Sequence, residues 1–220
     1  MKTLLLFPLI DWARNSRNAG RLSMCLLLIS LAACRATAPP AQENASWAAQ
    51  RERLQALDNW QLRGRVNVLY DGESHTPRID WQQQGEQFRI RLWGTFNAGN
   101  TLITGSPGRV TLEQDNETVT APTPEDLILE QLGYELPVSH LEYWIRGLPA
   151  PAPAPRAELE FSADNHLSSL RQDGWTVTYP DPRQYGALIL PRRVDVTRPR
   201  NDVRLRFVGL DWTLAQTTGP

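Results

Sequence analysis

The stretch WQLRGRVNVLY, residues 60–70, alternates between two kinds of side chain along its length. The even positions, from Trp60 to Tyr70, are apolar or small, and the odd positions up to residue 67 are polar: Gln61, Arg63, Arg65 and Asn67. Successive side chains of a β-strand point to opposite faces of the sheet, so this period of two predicts a strand with one buried and one solvated face. Half-buried strands of this kind are typical of antiparallel sheets.

The same alternation recurs in later segments of the chain, which are RIDWQ, FRIRLW, RVTLEQ, AELEFS, WTVTY, RRVDVT and DVRLRF. Turn signals such as QGE, SPG and QDG separate the segments at short intervals. The pattern predicts about eleven short strands, arranged as a sandwich or as a curved, barrel-like sheet.

The segment SWAAQRERLQAL, residues 46–57, follows a helical period instead. Trp47, Leu54 and Leu57 fall at helical spacing behind Ser46, a residue type that suits the N-cap. We expect an amphipathic helix that lies on the core. A helix on a membrane surface is the alternative, but its apolar face would be thin.

Residues 122–151 interrupt the strand pattern with a helical insert. Two short helical patterns cover residues 124–132 and 138–146, and the second carries Leu141, Trp144 and Ile145 on one side. A helical pair inside an up-and-down sheet has to pack somewhere, and the hollow of a curved sheet is the natural place. The following PAPAPAPRA predicts a stiff, extended connector back to the sheet.

The N-terminal segment has the layout of a bacterial secretory signal. Three arginines precede an apolar run over residues 22–31, which ends in LAAC at Cys34. An apolar run this short does not span a bilayer as a permanent helix. We therefore predict a signal peptide over 1–33, a flexible tether over 34–45, a single domain over 46–214 and a C-terminal tail over 215–220.

The LAAC motif resembles the lipobox of bacterial lipoproteins, which implies that Cys34 receives a lipid. An ordinary cleavage site beside a chance cysteine is the alternative. Cys25 leaves with the signal, so the remaining chain holds one cysteine and forms no internal disulfide. Arg35 follows Cys34 in place of the Asp that resembles an inner-membrane retention signal, which favours the outer membrane.

The charge balance excludes some partners. Removing residues 1–33 changes the formal net charge from −1 to −4, because Lys2, Arg14, Arg17, Arg21 and Asp11 are lost. Phosphate binding needs a basic face, so a nucleic-acid partner is not expected. The same balance argues against a polybasic attraction to membranes, so we expect contact with lipid through apolar groups.

No motif for catalysis, nucleotide binding or metal binding is present in the sequence. The three histidines, His75, His140 and His166, are isolated from one another in the pattern. We therefore predict a protein that is not an enzyme and that needs no cofactor or metal.

Several motifs carry a family resemblance. The chain resembles the LolB family of outer-membrane lipoproteins in the lipobox and in four further segments: WQLRGRV (60–66), IDWQQQGEQFRIRL (79–92), YWIRGLPAP (143–151) and GWTVTY (174–179). The resemblance implies an unclosed antiparallel β-barrel of about eleven strands covered by short helices, a fold shared with the periplasmic carrier LolA. It also implies a monomeric, lipid-anchored receptor, facing the periplasm of a Gram-negative bacterium.

In that role the protein would accept triacylated lipoproteins from LolA in an apolar cavity. It would then insert them into the inner leaflet of the outer membrane without nucleotide hydrolysis. The residues expected to line the acyl-chain cavity lie on the inner face of the sheet and on the second insert helix: Trp60, Val66, Val68, Trp81, Phe88, Ile90, Leu92, Trp144, Ile145, Trp175 and Tyr179. Each of them is equally suited to ordinary core packing.

Phe96 stands in the turn-forming run GTFNAGN. The resemblance implies that an apolar residue at the tip of this loop assists delivery into the bilayer, which makes Phe96 the candidate. A ring folded back onto the barrel edge is the alternative. For the whole protein, the alternative function is a structural outer-membrane lipoprotein with a solid β-core that binds protein or peptidoglycan.

Overall fold

The computed structural model describes residues 45–94, 100–133, 135–198 and 203–214. The predicted signal peptide, Cys34, Phe96 and the C-terminal tail lie outside the described residues. The helices are α1 (Ala45–Gln55), α2 (Pro124–Leu132) and α3 (Val138–Trp144). The strands are β1 (Asn59–Tyr70), β2 (Glu73–His75), β3 (Arg78–Gln84), β4 (Gln87–Trp93), β5 (Thr101–Ser106), β6 (Arg109–Gln114), β7 (Glu117–Ala121), β8 (Glu158–Phe161), β9 (Leu167–Gln172), β10 (Trp175–Tyr185), β11 (Leu188–Arg198) and β12 (Val203–Leu214).

The described strands form one antiparallel sheet of twelve strands in the order β7-β6-β5-β4-β3-β1-β12-β11-β10-β9-β8. The short β2 stands off this path and pairs with β1. The first and last long strands, β1 and β12, pair at the centre, with Trp60 opposite Leu214. Strands β7 and β8 are the two edges, so the sheet does not close. The prediction of a mainly β, unclosed antiparallel fold with short helices is confirmed.

Alternation along the strands sorts the side chains between two faces. In β1 the inward residues Trp60, Leu62 and Val66 are buried, whereas Arg63 and Arg65 on the other face are exposed. We call the buried side of the sheet the inner face and the other side the outer face. The inner-face residues join one hydrophobic cluster together with residues of α1 and α3. Burial of this apolar surface stabilises the fold at about 25 cal/mol per Å².

Helix α1 begins at Ala45, so Ser46 lies in its first turn and not at the predicted N-cap. Its apolar side chains Trp47 and Leu54 are 4% and 1% exposed and pack into the hydrophobic cluster. Gln50 Nε2 donates to Ile189 O at 2.8 Å and fixes the helix against β11. The expectation that this helix lies on the core is therefore what the described residues show.

Gly64 permits the close approach of β1 and β12 where their pairing shifts register between Arg63 and Arg65. A Cβ atom at position 64 would lie 2.9 Å from Val208 O and 2.8 Å from a methyl carbon of Leu210. The carbonyl oxygen is part of the backbone, so it cannot rotate away.

We expect Gly64→Ala to lower the free energy of unfolding by about 1–3 kcal/mol, the usual cost of overpacking. Urea denaturation measures this as a lower midpoint at an unchanged slope. The control is Thr118→Ala on the exposed edge strand β7, which should stay within about 0.5 kcal/mol of the parent. Equal stability of the parent and Gly64→Ala would contradict the close approach.

Candidate functional site: the helical insert and two cavities

The insert between β7 and β8 places two helices beside the inner face. Helix α2 begins because Thr123 Oγ1 accepts a hydrogen bond from Asp126 N at 3.1 Å and Pro124 occupies the first turn. It ends at Leu132 and is capped by Gly133, whose φ of 76° suits glycine. Glu125 then receives the Ser139 backbone N–H at 2.7 Å and the Ser139 hydroxyl at 3.0 Å. These bonds tie the start of α3 to the first turn of α2.

The buried carboxamide of Gln172 holds the other end of α3. Its Oε1 accepts from Trp144 Nε1 and from Ala150 N, each at 2.9 Å. Its Nε2 donates to Ala150 O at 2.9 Å and to Pro155 O at 2.7 Å. Tyr179 Oη donates to Trp144 O at 2.9 Å, and burial raises the pKa of Tyr179, so the hydroxyl keeps its proton. Gln172 of β9 and Tyr179 of β10 thus hold the insert on the sheet, and the carboxamide of Gln172 has partners for both its oxygen and its nitrogen.

Arg146 connects α3 to α1. The residue is 4% exposed, and its Nη1 donates to Leu54 O in the last turn of α1 at 3.1 Å and to Leu57 O just after the helix at 3.0 Å. Its Nε donates to Glu142 O at 3.1 Å. Burial lowers the pKa of Arg146 and raises the pKa of Glu142, and the attraction between the two charges opposes both shifts.

The same guanidinium is stacked on aromatic rings. Its Cζ lies 5.9 Å from the ring centre of Trp60 and 5.4 Å from that of Tyr143. The Trp60 ring centre is in turn 5.3 Å from Trp81 and 5.4 Å from Trp212. A cation over an aromatic face gains electrostatic energy when water is excluded.

Two of the cavities bounded by described residues adjoin the helices. The first, which we call the α3 cavity, measures about 620 Å³ and lies between α3 and the β3–β4–β6 part of the sheet. Trp81, Phe88, Ile90 and Val110 supply its apolar wall from the strands. Helix α3 covers the cavity with Val138, Ser139, Glu142 and Tyr143, and Arg146, which follows the helix, completes this boundary. The cavity therefore has a mixed lining, with an apolar wall on the strands and polar groups along the helix and the loops.

The second, the α1 cavity, measures about 400 Å³ and lies between α1 and β10–β11. Trp47 and Leu54 of the helix face Tyr179, Leu190 and Pro191 across it. Arg146 borders both cavities.

The structure brings the eleven predicted cavity residues into one cluster. Eight are buried: Trp60, Val66, Trp81, Ile90, Trp144, Ile145, Trp175 and Tyr179. Val68, Phe88 and Leu92 are partly buried and pack against the cluster. Trp81, Phe88 and Ile90 line the α3 cavity and Tyr179 lines the α1 cavity, while the other seven border neither of these two cavities.

Four other residues of the site were not predicted from the sequence. Arg146 and Gln172 are polar, and Tyr143 and Val138 flank the apolar positions that were named on the second insert helix. A signal was present for Gln172, because it shares the parity of the buried Leu170 on β9. Arg146 directly follows the buried pair Trp144 and Ile145, which is unusual for a charged residue.

Among the described residues, no helix combines the length and the apolar character needed to cross a membrane. In the same part of the chain no group of three or more His, Cys, Asp or Glu side chains is placed to hold a metal ion.

The sequence profile described as Outer membrane lipoprotein LolB matches residues 58–212. The chain belongs to the LolB family. The outer-membrane lipoprotein LolB of Chromohalobacter salexigens is 40% identical over 204 residues, 91% of this chain and 94% of that protein. The LolB of Stutzerimonas stutzeri is 36% identical over 197 residues, with 87% and 93% covered. As a LolB family member, the protein is an outer-membrane lipoprotein with a part in lipoprotein localisation.

Two solved structures resemble the fold more distantly. A DUF1329 family protein from Desulfovibrio piger has a TM-score of 0.49 at 7% identity and covers 79% of this chain and 92% of its own. A LolA superfamily protein from Nitrosomonas europaea has a TM-score of 0.46 at 8% identity, with 76% and 90% covered.

Substitutions of Trp144 test how α3 is held on the sheet in this LolB family member. It is fully buried, so we expect Trp144→Ala to cost about 3–5 kcal/mol of unfolding free energy. Trp144→Phe retains a ring but removes the donor to Gln172, and should cost about 1–3 kcal/mol. Chemical denaturation of both variants measures the cost of losing the buried ring and the cost of losing the hydrogen bond to Gln172. A Phe variant as stable as the parent would show that the Gln172 bond does not hold the helix.

Proposed function

We propose that this protein accepts lipoproteins from the periplasmic carrier LolA in an apolar cavity and inserts them into the inner leaflet of the outer membrane. The α3 cavity is the proposed acyl-chain site, Phe96 the proposed membrane-insertion residue and Cys34 the lipidated anchor. The protein acts as a monomer and hydrolyses no nucleotide. It is a receptor and not an enzyme.

The observation that carries the proposal is the α3 cavity itself. Its volume of about 620 Å³ falls within the roughly 300–1,000 Å³ of small-molecule sites. Phe88, Val138 and Tyr143 are only partly buried along its boundary, so they retain apolar surface that a ligand can cover. Covering such surface is favourable at about 25 cal/mol per Å².

The cargo explains why a sheltered site is needed. Each acyl methylene buried away from water contributes about 0.8 kcal/mol, so three exposed chains would cost tens of kcal/mol. Without nucleotide hydrolysis, transfer has to run toward higher affinity, from carrier to receptor and from receptor to bilayer. Each step then needs only a difference in binding free energy between the two hosts.

We expect Val138→Trp to block the α3 cavity and to reduce acceptance of lipoprotein from LolA about tenfold, the effect of losing roughly 1.4 kcal/mol of binding free energy. Val138 is half-buried on α3 and borders the cavity, so an indole there competes with acyl chains for the same space. The assay uses the mature chain with Cys34→Ala, because the anchor serves localisation and is not needed for acceptance.

The matched control is Val119→Trp, since Val119 is half-buried on the edge strand β7 and borders neither of the two cavities. Normal acceptance by a folded Val138→Trp protein would count against the α3 cavity as the site. No acceptance by the parent chain, together with no lipid or lipoprotein in mass spectra of the purified protein, would favour the structural lipoprotein with a solid core.

Phe96→Glu separates delivery from binding. If the ring enters the bilayer, the variant should melt within about 0.5 kcal/mol of the parent and still accept cargo. Release into liposomes should fall sharply, because a carboxylate has to lose its hydration to enter lipid.

Phe96→Leu is the control, because it keeps an apolar side chain and should deliver normally. A thermal melt and separate acceptance and release assays distinguish the outcomes. Joint loss of stability, acceptance and release in Phe96→Glu would indicate a ring packed on the barrel, and normal release by a loaded protein would rule out insertion.

A further inference from the structure

A row of basic and aromatic side chains crosses the outer face of the sheet. Arg65 on β1 lies directly opposite Arg78 on β3, and Arg78 lies directly opposite Trp93 on β4. Residues directly opposite in an antiparallel pair share a face and bring their Cβ atoms within about 5.5 Å. The row stands at the end of the sheet where β4 finishes and β12 begins, and Arg91 and Arg204 lie on the same face nearby.

These four arginines, Arg65, Arg78, Arg91 and Arg204, are what we call the basic face. All four are exposed, and none makes an ion pair with any other residue that the structure describes. Two like charges opposite each other are destabilising. Arg65 and Arg78 therefore repel each other, and neither forms an ion pair with a carboxylate among the described residues.

Two carboxylates beside the basic face, Asp80 and Asp195, are already engaged, and a third, Asp211, lies opposite Arg63 and not opposite a member of the basic face. Asp80 accepts from Arg63 Nε at 3.0 Å and from Gln61 Nε2 at 2.7 Å. Asp195 pairs with Arg206 at 2.6 Å and with Arg193 at 2.9 Å. The repulsion between Arg65 and Arg78 is thus left for an anion from outside the described chain to neutralise.

We propose that the basic face binds the phosphate headgroups of anionic phospholipids and orients the protein on the membrane. A guanidinium presents paired N–H donors that match phosphate oxygens. Trp93, half-buried at the end of the same row, belongs to the residue types enriched at the level of lipid headgroups. Chain connectivity adds a further argument, because β4 runs from Trp93 directly into the segment that contains Phe96.

The net charge of −4 expected after removal of residues 1–33 does not reveal the local positive charge of the basic face. Charges act at a surface over about a Debye length, roughly 8 Å at physiological salt. The attraction to anionic lipid therefore depends on the local group of arginines and not on the sum over the chain. In this proposal, the attraction between arginines and lipid phosphates acts in addition to the apolar contact with lipid that we expected from the sequence.

The experiment measures sedimentation of the mature chain, with Cys34→Ala and without cargo, on vesicles of phosphatidylcholine and on vesicles containing 30% phosphatidylglycerol, as a rough probe composition. The parent should bind the anionic vesicles more tightly, and added salt should remove the difference. Arg65→Gln/Arg78→Gln should weaken binding to anionic vesicles about 30-fold and leave binding to neutral vesicles unchanged. The absence of cargo makes this test independent of the acyl-chain site.

Arg109→Gln/Arg156→Gln is the matched control, because it removes two exposed arginines outside the basic face. This control should bind anionic vesicles like the parent. Equal binding by the Arg65/Arg78 variant and the parent, or an equal loss in the control, would overturn the proposal. Loss of acceptance from LolA with retained vesicle binding would also overturn it, since the face would then serve an acidic protein partner.

Discussion

The buried guanidinium of Arg146 is the interaction on which the arrangement of the helices depends. It donates to carbonyls in the last turn of α1 and just after it and to the backbone of α3, and it stacks on the rings of Trp60 and Tyr143, so the two helices and the centre of the sheet meet at one charge. Burying a guanidinium is costly, and the cost is offset only while those acceptors stay in place. The helices therefore cannot shift independently: moving α1 away from α3 leaves a buried charge without its carbonyl partners. A residue that borders both cavities thus couples the position of one helix to the shape of each.

The open sheet explains why such a connection is needed. A closed barrel would satisfy its edges and enclose its interior with strands alone. Here β7 and β8 do not meet, and the inner face requires α1 and α3 as a cover. Covering helices bury backbone termini, whose polar groups need partners. Arg146 supplies them for α1, and Gln172 and Tyr179 supply them for the segment around α3, so the polar groups of the core are concentrated where helices replace strands.

Local chemistry was sufficient to predict much of this fold. The alternation in β1 and the start of α2 at Thr123-Pro124 depend on neighbouring residues, and both are found where the pattern places them. Strands β5 and β9 were harder, because TLITGS and LSSLRQ lack a clean period of two. The hydrogen bonds of Gln172 were beyond reach, since its partners Ala150 and Pro155 are 22 and 17 residues away in sequence. The size of a cavity is likewise not written in residue type, because the same apolar residues fill a core or line a hollow.

That ambiguity is resolved physically by residual exposure and not by hydrophobicity. A ligand gains hydrophobic free energy only from apolar surface that the protein has not already buried. Trp144 and Trp175 are 0% and 1% exposed, so their apolar surface is already buried by folding. Their contribution is to hold the sheet and the insert together. Phe88, Val138 and Tyr143 keep part of their surface open at the α3 cavity. Under the proposed function, binding and stability are therefore divided among neighbouring residues of one cluster, so that release of a ligand leaves the contacts that keep the protein folded in place.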